Sequence, residues 1–148
     1  MKLREIMDES LMQLEIKANE KEEAIYELTS LLEKENRLND KDVYIKSVLK
    51  REAESTTGIG FGVAIPHGKS SAVKEPSLCF GRSTEGITYD SMDGEVVHMV
   101  FLIAVPEDSD NQHLRILAQL SRKLMHDDVR KKIMNAQTKE EIYTIIDG

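Results

Sequence analysis

The chain has 148 residues, is 40% hydrophobic and 32% charged, and carries a formal charge of −7. That length suits one domain with a real core, and no stretch approaches the roughly 18 consecutive apolar residues of a membrane span. One cysteine excludes a disulfide framework, and the acidity argues against nucleic acid, whose binding draws on Lys and Arg to neutralise phosphates. An acidic surface suits a protein partner with a basic face. Glu5, Asp8 and Glu9 fall where the apolar centre of a signal peptide would lie, so a soluble cytoplasmic protein is expected.

Met12 to Ile16 alternates weakly and reads as a first strand. Asn19, with Glu22 three residues on, has the pattern of a capping box. It would open a helix whose Ala24, Ile25, Leu28, Leu31 and Leu32 form one apolar stripe. Polar residues from Lys34 to Asp40 end it. Asn39 is placed to cap a second helix, with Tyr44 and Val48, and Ile45 and Leu49, paired at i, i+4. That helix runs toward Arg51 and Glu52. Gly58, Gly60 and Gly62 then predict a loop or bulge. Val63 to Ile65 is a short strand that Pro66 ends. Ser77 to Arg82 and Val96 to Val105 read as strands, and the region is compatible with an antiparallel hairpin. Asp108, Ser109 and Asp110 are candidate caps for the next helix. Its predicted inner face is Leu114, Leu117, Ala118, Ser121, Leu124 and Met125. A shorter helix is expected from Asp128 to Asn135. Thr138 with Glu141 predicts a capping box for a last helix through Tyr143 and Ile146. Helices on both sides of central strands imply an α/β layered fold, one domain over residues 1–148. Periodicity leaves the strand order open.

The chemistry concentrates in REAESTTGIGFGVAIPHGKS, Arg51 to Ser70. A glycine-rich loop leaves backbone N–H groups able to approach an anion. A short strand then delivers Pro66-His67-Gly68. Pro66 fixes its own φ and restricts Ile65. Gly68 is expected to leave space beside the imidazole and to let the chain turn, so His67 is expected to be exposed and uncrowded. Histidine titrates near 6.5, so much of it is neutral and nucleophilic at cellular pH. An imidazole nitrogen can attack phosphorus, and phosphoryl transfer needs mainly positioning and charge stabilisation. Arg51 is a natural phosphate ligand, because a guanidinium is always charged and forks onto phosphate. His113 falls in the first turn of a later helix, where anions are favoured and an imidazolium is not. It can still donate one hydrogen bond to a phosphate oxygen.

A Pro-His-Gly turn is not specific by itself, since a solvated turn histidine looks the same. His98 reads as a structural strand residue. His126 lies near a helix C-terminus, and Cys79 reads as buried in a strand. The histidines lack i, i+4 or HxH spacing, so no metal site is expected. The glycine loop lacks GxxxxGK[ST], and no GxSxG elbow is present.

Arg51-Glu52, Thr57-Gly58-Ile59-Gly60 and Ala64-Ile65-Pro66-His67-Gly68 occur in that order, followed by Gln112-His113-Leu114-Arg115-Ile116-Leu117. This set resembles the IIA domains (EIIA type 2) of the fructose–mannitol class in the bacterial phosphoenolpyruvate-dependent sugar phosphotransferase system. Asp93-Gly94 to Val97-His98, with Phe101 to Pro106, looks like the family's central strand. The resemblance runs from Lys21 to the last helix. It implies an α/β sandwich with a mixed sheet and helices on both faces. It implies that His67 carries the phosphoryl group as tele-phosphohistidine, with His113 orienting the phosphate and Arg51 binding it. The donor would be HPr and the acceptor a cysteine of a IIB domain, with sugar transport left to a membrane IIC domain. No metal or organic cofactor is implied. The sequence shows no fused HPr, IIB or IIC segment, so a stand-alone IIA or an excised domain is expected. Two functions stay open: a carrier for sugar uptake of the fructose class, which Val100 to Asp110 favours, and a nitrogen-related regulatory IIA module acting by protein binding.

Overall fold

In the computed structural model, which describes residues 2–147, the first strand is β1 (Met7–Gln13). Helices α1 (Lys21–Lys34) and α2 (Lys41–Glu54) follow. Three short strands come next: β2 (Gly58–Gly60), β3 (Val63–Ala64) and β4 (His67–Ser70). Two long strands, β5 (Ser77–Ile87) and β6 (Val97–Pro106), precede helices α3 (Gln112–Leu124), α4 (Asp127–Asn135) and α5 (Lys139–Asp147).

The apolar run of β6 explains the architecture. A strand covered on both faces needs apolar residues at every position rather than at alternate ones. Met99, Phe101, Ile103 and Val105 point to one core, and Val100, Leu102 and Ala104 to the other. The first core is completed by Ile116, Leu120 and Leu124 of α3, Ile133 of α4, and Ile142 and Ile146 of α5. The second is completed by Ala24, Ile25, Leu28 and Leu32 of α1, and Tyr44 and Val48 of α2. The result is a mixed sheet with helices on both faces, as the sequence predicts. Its order is β1-β5-β6-β3-β2, with β4 also paired to β6. β5 and β6 are the antiparallel hairpin, whereas β1 with β5 and β3 with β6 are parallel.

Strands β3 and β4 lie end to end along the same edge of β6. Val63 pairs with Met99 and His67 with Ile103, both in parallel register. Pro66 interrupts the pairing without ending it: its carbonyl still accepts the N–H of Ile103 at 3.0 Å. The expected turn at Gly68 is therefore a strand, and the glycine serves packing instead. A Cβ at residue 68 would lie 2.4 Å from Ser47 Oγ, 2.9 Å from Val48 Cγ2 and 3.0 Å from Tyr44 Cε1. Helix α2 rests directly on β4, and Tyr44 donates its hydroxyl to the Ile103 carbonyl at 2.8 Å.

Other local expectations shift. The first strand begins at Met7, not Met12, because parallel pairing with β5 draws in the exposed Asp8, Glu9 and Ser10, which hide the strand pattern. Glu20, not Asn19, occupies the cap position of α1 and makes no side-chain cap bond. Instead the Glu27 carboxylate reaches back to the N–H groups of Lys17 and Ala18. Asp40, not Asn39, caps α2 by accepting from Val43 N–H at 3.2 Å. Asn111, in left-handed conformation, precedes α3 in place of Asp108, Ser109 or Asp110. The inner face of α3 is Ile116, Leu120 and Leu124; Leu114 and Met125 are 52% and 73% exposed. The Thr138–Glu141 capping box holds, with Glu141 N–H donating to Thr138 Oγ1 at 3.1 Å.

Replacing Gly68 with Ala should lower stability by about 1–3 kcal/mol, the cost of overpacking a filled contact. A shifted denaturant midpoint with unchanged m-value would record it.

Candidate active site

The backbone of β3 and β4 alternates across the sheet. Gly68 faces α2, so its neighbour His67 faces the opposite side, toward α3. The ring of His67 lies 5.7 Å from that of His113, centroid to centroid, with the planes 26° apart. The two histidines, 46 positions apart in sequence, therefore stack. His67 is 8% exposed, against the expectation of an exposed histidine. The reason is its place inside a strand, packed under α3, rather than on a turn.

One ring nitrogen of His67 is committed. Nδ1 lies 3.1 Å from the carbonyl oxygen of Ile65. A carbonyl only accepts, so Nδ1 carries the proton, and in the neutral ring the lone pair is on Nε2. Pro66 between the two residues supplies the local stiffness that keeps this i, i−2 contact in place.

Burial is the largest influence on His67 and lowers its pKa from the ordinary 6.5. The Ile65 carbonyl opposes that by favouring the protonated ring. The Arg51 guanidinium lowers it further, while Glu52 and Glu54 raise it. His113 is also lowered, by burial first and then by the charges of His67 and Lys69. Its Nδ1 is buried without a hydrogen-bond partner. An orphan acceptor is tolerated better than an orphan N–H, which places the His113 proton on Nε2.

Arg51, in the last turn of α2, is near enough to act on His67 electrostatically. One of its N–H groups donates to the Ser55 carbonyl at 2.9 Å, closing the end of the helix. Lys69 lies two residues beyond His67 in β4 and so on the same face. Its ammonium reaches Asn111 Oδ1 at 3.3 Å, joining β4 to the start of α3. The glycine loop is a tight hairpin between β2 and β3. Gly60, Phe61 and Gly62 all have positive φ, at 99°, 59° and 77°. Phe61 is held in that uncommon conformation from two sides: Asp93 accepts its N–H at 3.1 Å, and the Arg130 guanidinium sits 4.5 Å above its ring.

Sequence reasoning singled out His67, His113 and Arg51, and the fold brings the histidines together with Arg51 in range. His98 stands apart, its Nδ1 2.8 Å from the Ser83 carbonyl in β5, and His126 is exposed between α3 and α4. Cys79 is fully buried. Lys69 and the carboxylate of Glu52 were not picked out. Only the i, i+2 spacing from His67 flags Lys69, and Glu52 is flagged only by standing beside Arg51 in the run that carries the resemblance.

The family described as "Phosphoenolpyruvate-dependent sugar phosphotransferase system, EIIA 2" matches residues 5–148. The chain belongs to this family. Among its relatives is the PTS system fructose-specific EIIABC component of Bacillus subtilis, 42% identical over 146 residues. That match covers 99% of this chain and 23% of that protein, so this EIIA 2 chain spans under a quarter of that relative's length. The PTS system fructose-specific EIIA component of Haloferax volcanii is 43% identical over 136 residues, 92% of this chain and 88% of that one. The crystal structure of nitrogen regulatory protein IIA-Ntr from Neisseria meningitidis superimposes with a TM-score of 0.88 at 34% identity, over 97% of both chains. The fold is also that of enzyme IIAMTL in its complex with phosphorylated enzyme IIBMTL from Escherichia coli. There the TM-score is 0.81 at 21% identity, over 95% of this chain and 98% of that one.

The histidine environment predicts a pH dependence. Both folded histidines lie below the ordinary 6.5. From about pH 6.5 downward the unfolded chain binds protons that the native site refuses, so stability falls as pH falls and levels off only below the folded values. The two ring titrations, followed by NMR, should have midpoints below 6.5. Denaturant midpoints should drop between about pH 7.5 and about pH 5.5, and less so in a His67→Gln, His113→Gln double variant.

Proposed function

We propose that this chain is a phosphohistidine carrier of the sugar phosphotransferase system, accepting a phosphoryl group from HPr on Nε2 of His67 and passing it to a cysteine of a IIB domain. The observation that carries this reading is the hydrogen bond from Nδ1 to the Ile65 carbonyl, which leaves Nε2 as the nucleophile. Its lone pair forms the new N–P bond as the donor's bond to phosphorus breaks. No proton has to leave: the ring becomes an N-phosphorylated imidazolium, and Nδ1–H keeps its carbonyl partner. A neutral ring is required before attack, and burial keeps it neutral near pH 7. Afterwards Nε2–H of His113 is the donor to a phosphoryl oxygen, and the Arg51 and Lys69 cations offset the added negative charge. Transfer to IIB is the reverse displacement, with a thiolate as the attacking group.

Fructose-class uptake is the favoured role, supported by the fructose-specific relatives at 42% and 43% identity. The regulatory reading is supported by the likeness to IIA-Ntr at 34% identity. Phosphoryl transfer from the labelled protein to a panel of IIB domains separates them, since a regulatory module would transfer to none of the sugar-specific domains.

Incubation with phosphoenolpyruvate, enzyme I and HPr should label the protein with an acid-labile, base-stable phosphate. His67→Ala should abolish the label, and persistence of label in that variant overturns the assignment. His113→Ala should still accept phosphate, at a rate lower by about 10²-fold or more, as when a transition-state donor is removed. A normal rate would exclude His113 from the chemistry.

A further inference from the structure

Behind the phosphate-facing side of the site lies a second polar cluster that the transfer chemistry does not use. Its centre is Glu52, whose side chain is only 5% exposed. Oε2 accepts the backbone N–H of Thr57 at 3.2 Å and pairs with Lys21 Nζ at 3.2 Å. Oε1 accepts the hydroxyls of Thr57 and Tyr89. Those two hydroxyls are also 2.9 Å from each other, and the Lys21 ammonium sits 4.8 Å above the Tyr89 ring. Tyr89 is 1% exposed, and burial holds its hydroxyl well above the usual range, so it stays a donor.

A carboxylate this buried is costly unless all its lone pairs are used, and here four donors converge on it. Three separate parts of the chain meet there: the start of α1, the end of α2 and the loop after β5. What they hold is the backbone of Thr57. Its carbonyl in turn accepts the N–H of Ile65 at 3.0 Å. The carbonyl of that same Ile65 receives Nδ1–H of His67. The path from carboxylate to imidazole thus contains only hydrogen bonds and two residues' backbone.

We propose that Glu52 is a positioning residue that sets the tautomer of His67 through the backbone of Thr57 and Ile65. The clamp fixes the direction of the Ile65 carbonyl. That direction decides which ring nitrogen keeps the proton and so which one attacks. With the clamp released, the ring distributes its proton between both nitrogens, and only part of the protein presents a free Nε2. The proposal rests on His67 as the phosphoacceptor, but its main readout needs no phosphate.

The test is the two-bond ¹H–¹⁵N correlation of the His67 ring, read above its titration midpoint, alongside the rate of phosphoryl acceptance from HPr. The parent protein should show the proton on Nδ1. Glu52→Ala should shift a substantial fraction to Nε2 and slow acceptance by about 10- to 100-fold, the scale expected for a misplaced reacting group. Glu52→Gln should restore both, because its amide oxygen can take the Thr57 N–H and its NH₂ can donate to the two hydroxyl oxygens. If Glu52→Ala does not fold, Thr57→Val, which keeps shape and removes one anchor, should show the same shift in smaller measure. A folded clamp variant with the parent's tautomer and rate overturns the proposal. So does a tautomer shift that Glu52→Gln leaves uncorrected. A merely structural Glu52 would lower the melting temperature and leave the tautomer alone. Absence of label in the parent, with the Nδ1–H tautomer and its dependence on Glu52 intact, would overturn the carrier reading and not the clamp.

Discussion

Helix α2 can rest on strand β4 only because residue 68 has no side chain. A Cβ there would occupy the space of Ser47, Val48 and Tyr44 at once. The contact fixes the height of α2 over the sheet, and with it the position of everything at its C-terminal end. Arg51 and Glu52 both lie in that last turn, one near the histidine and the other under the hairpin. A strand turns neighbouring residues to opposite faces. The absent side chain at 68 therefore seats α2 on one face, while the imidazole at 67 meets α3 on the other. The site is assembled from two helices that never need to touch, because a single strand between them holds both distances.

That placement also explains the electrostatics. The ring is kept neutral chiefly by exclusion from water, with Arg51 acting in the same direction and Glu52 and Glu54 against it. Two neutral imidazoles can stack at 5.7 Å without repulsion. In the proposed phosphorylated state the balance would invert: the same burial that disfavours a lone imidazolium strengthens its attraction to an attached dianion. The cations of Arg51 on α2 and Lys69 on β4 would then face an opposite charge. In the free site Arg51 and Lys69 are engaged by the Ser55 carbonyl and Asn111, and the proposed phosphate-binding role would draw on both.

Much of this is legible from residue types. Pro66, His67 and the glycines before them mark the hairpin and the candidate histidine, and the continuous apolar run of β6 announces a strand covered on both sides. The caps of α1 and α2 lie one residue beyond the expected ones; at α2, Asn39 and Asp40 are both good caps, and Asp40 is the one that accepts the Val43 N–H. The face of α3 is legible only in part: Leu117 and Leu124 pack inward as expected, whereas Leu114, Ala118 and Met125 are exposed. Leu114, Ile116, Leu117, Ala118, Leu120 and Leu124 give two overlapping apolar stripes, and the docking of α3 on the sheet beside α4 and α5 selects the one through Ile116 and Leu120. Glu52 was invisible as a buried group: in sequence it is one acidic residue in a chain with 27. Its partners Lys21 and Tyr89 come from distant segments, so its place in the motif with Arg51 and Thr57 says nothing of its burial.

Cys79 sits on β5 in the core beneath α1, on the face of the sheet opposite the histidine pair. Burial pushes its thiol far above the usual cysteine range, and its Sγ–H donates to the Leu28 carbonyl, 3.8 Å away. A protonated, walled-off sulfur is neither a nucleophile nor a target for oxidants. A phosphoryl group on His67, as proposed, would therefore meet no competing thiol acceptor in its own chain. Under the proposed carrier role, a group leaving His67 would have to leave for another surface, because the one thiol of this chain is closed off from it.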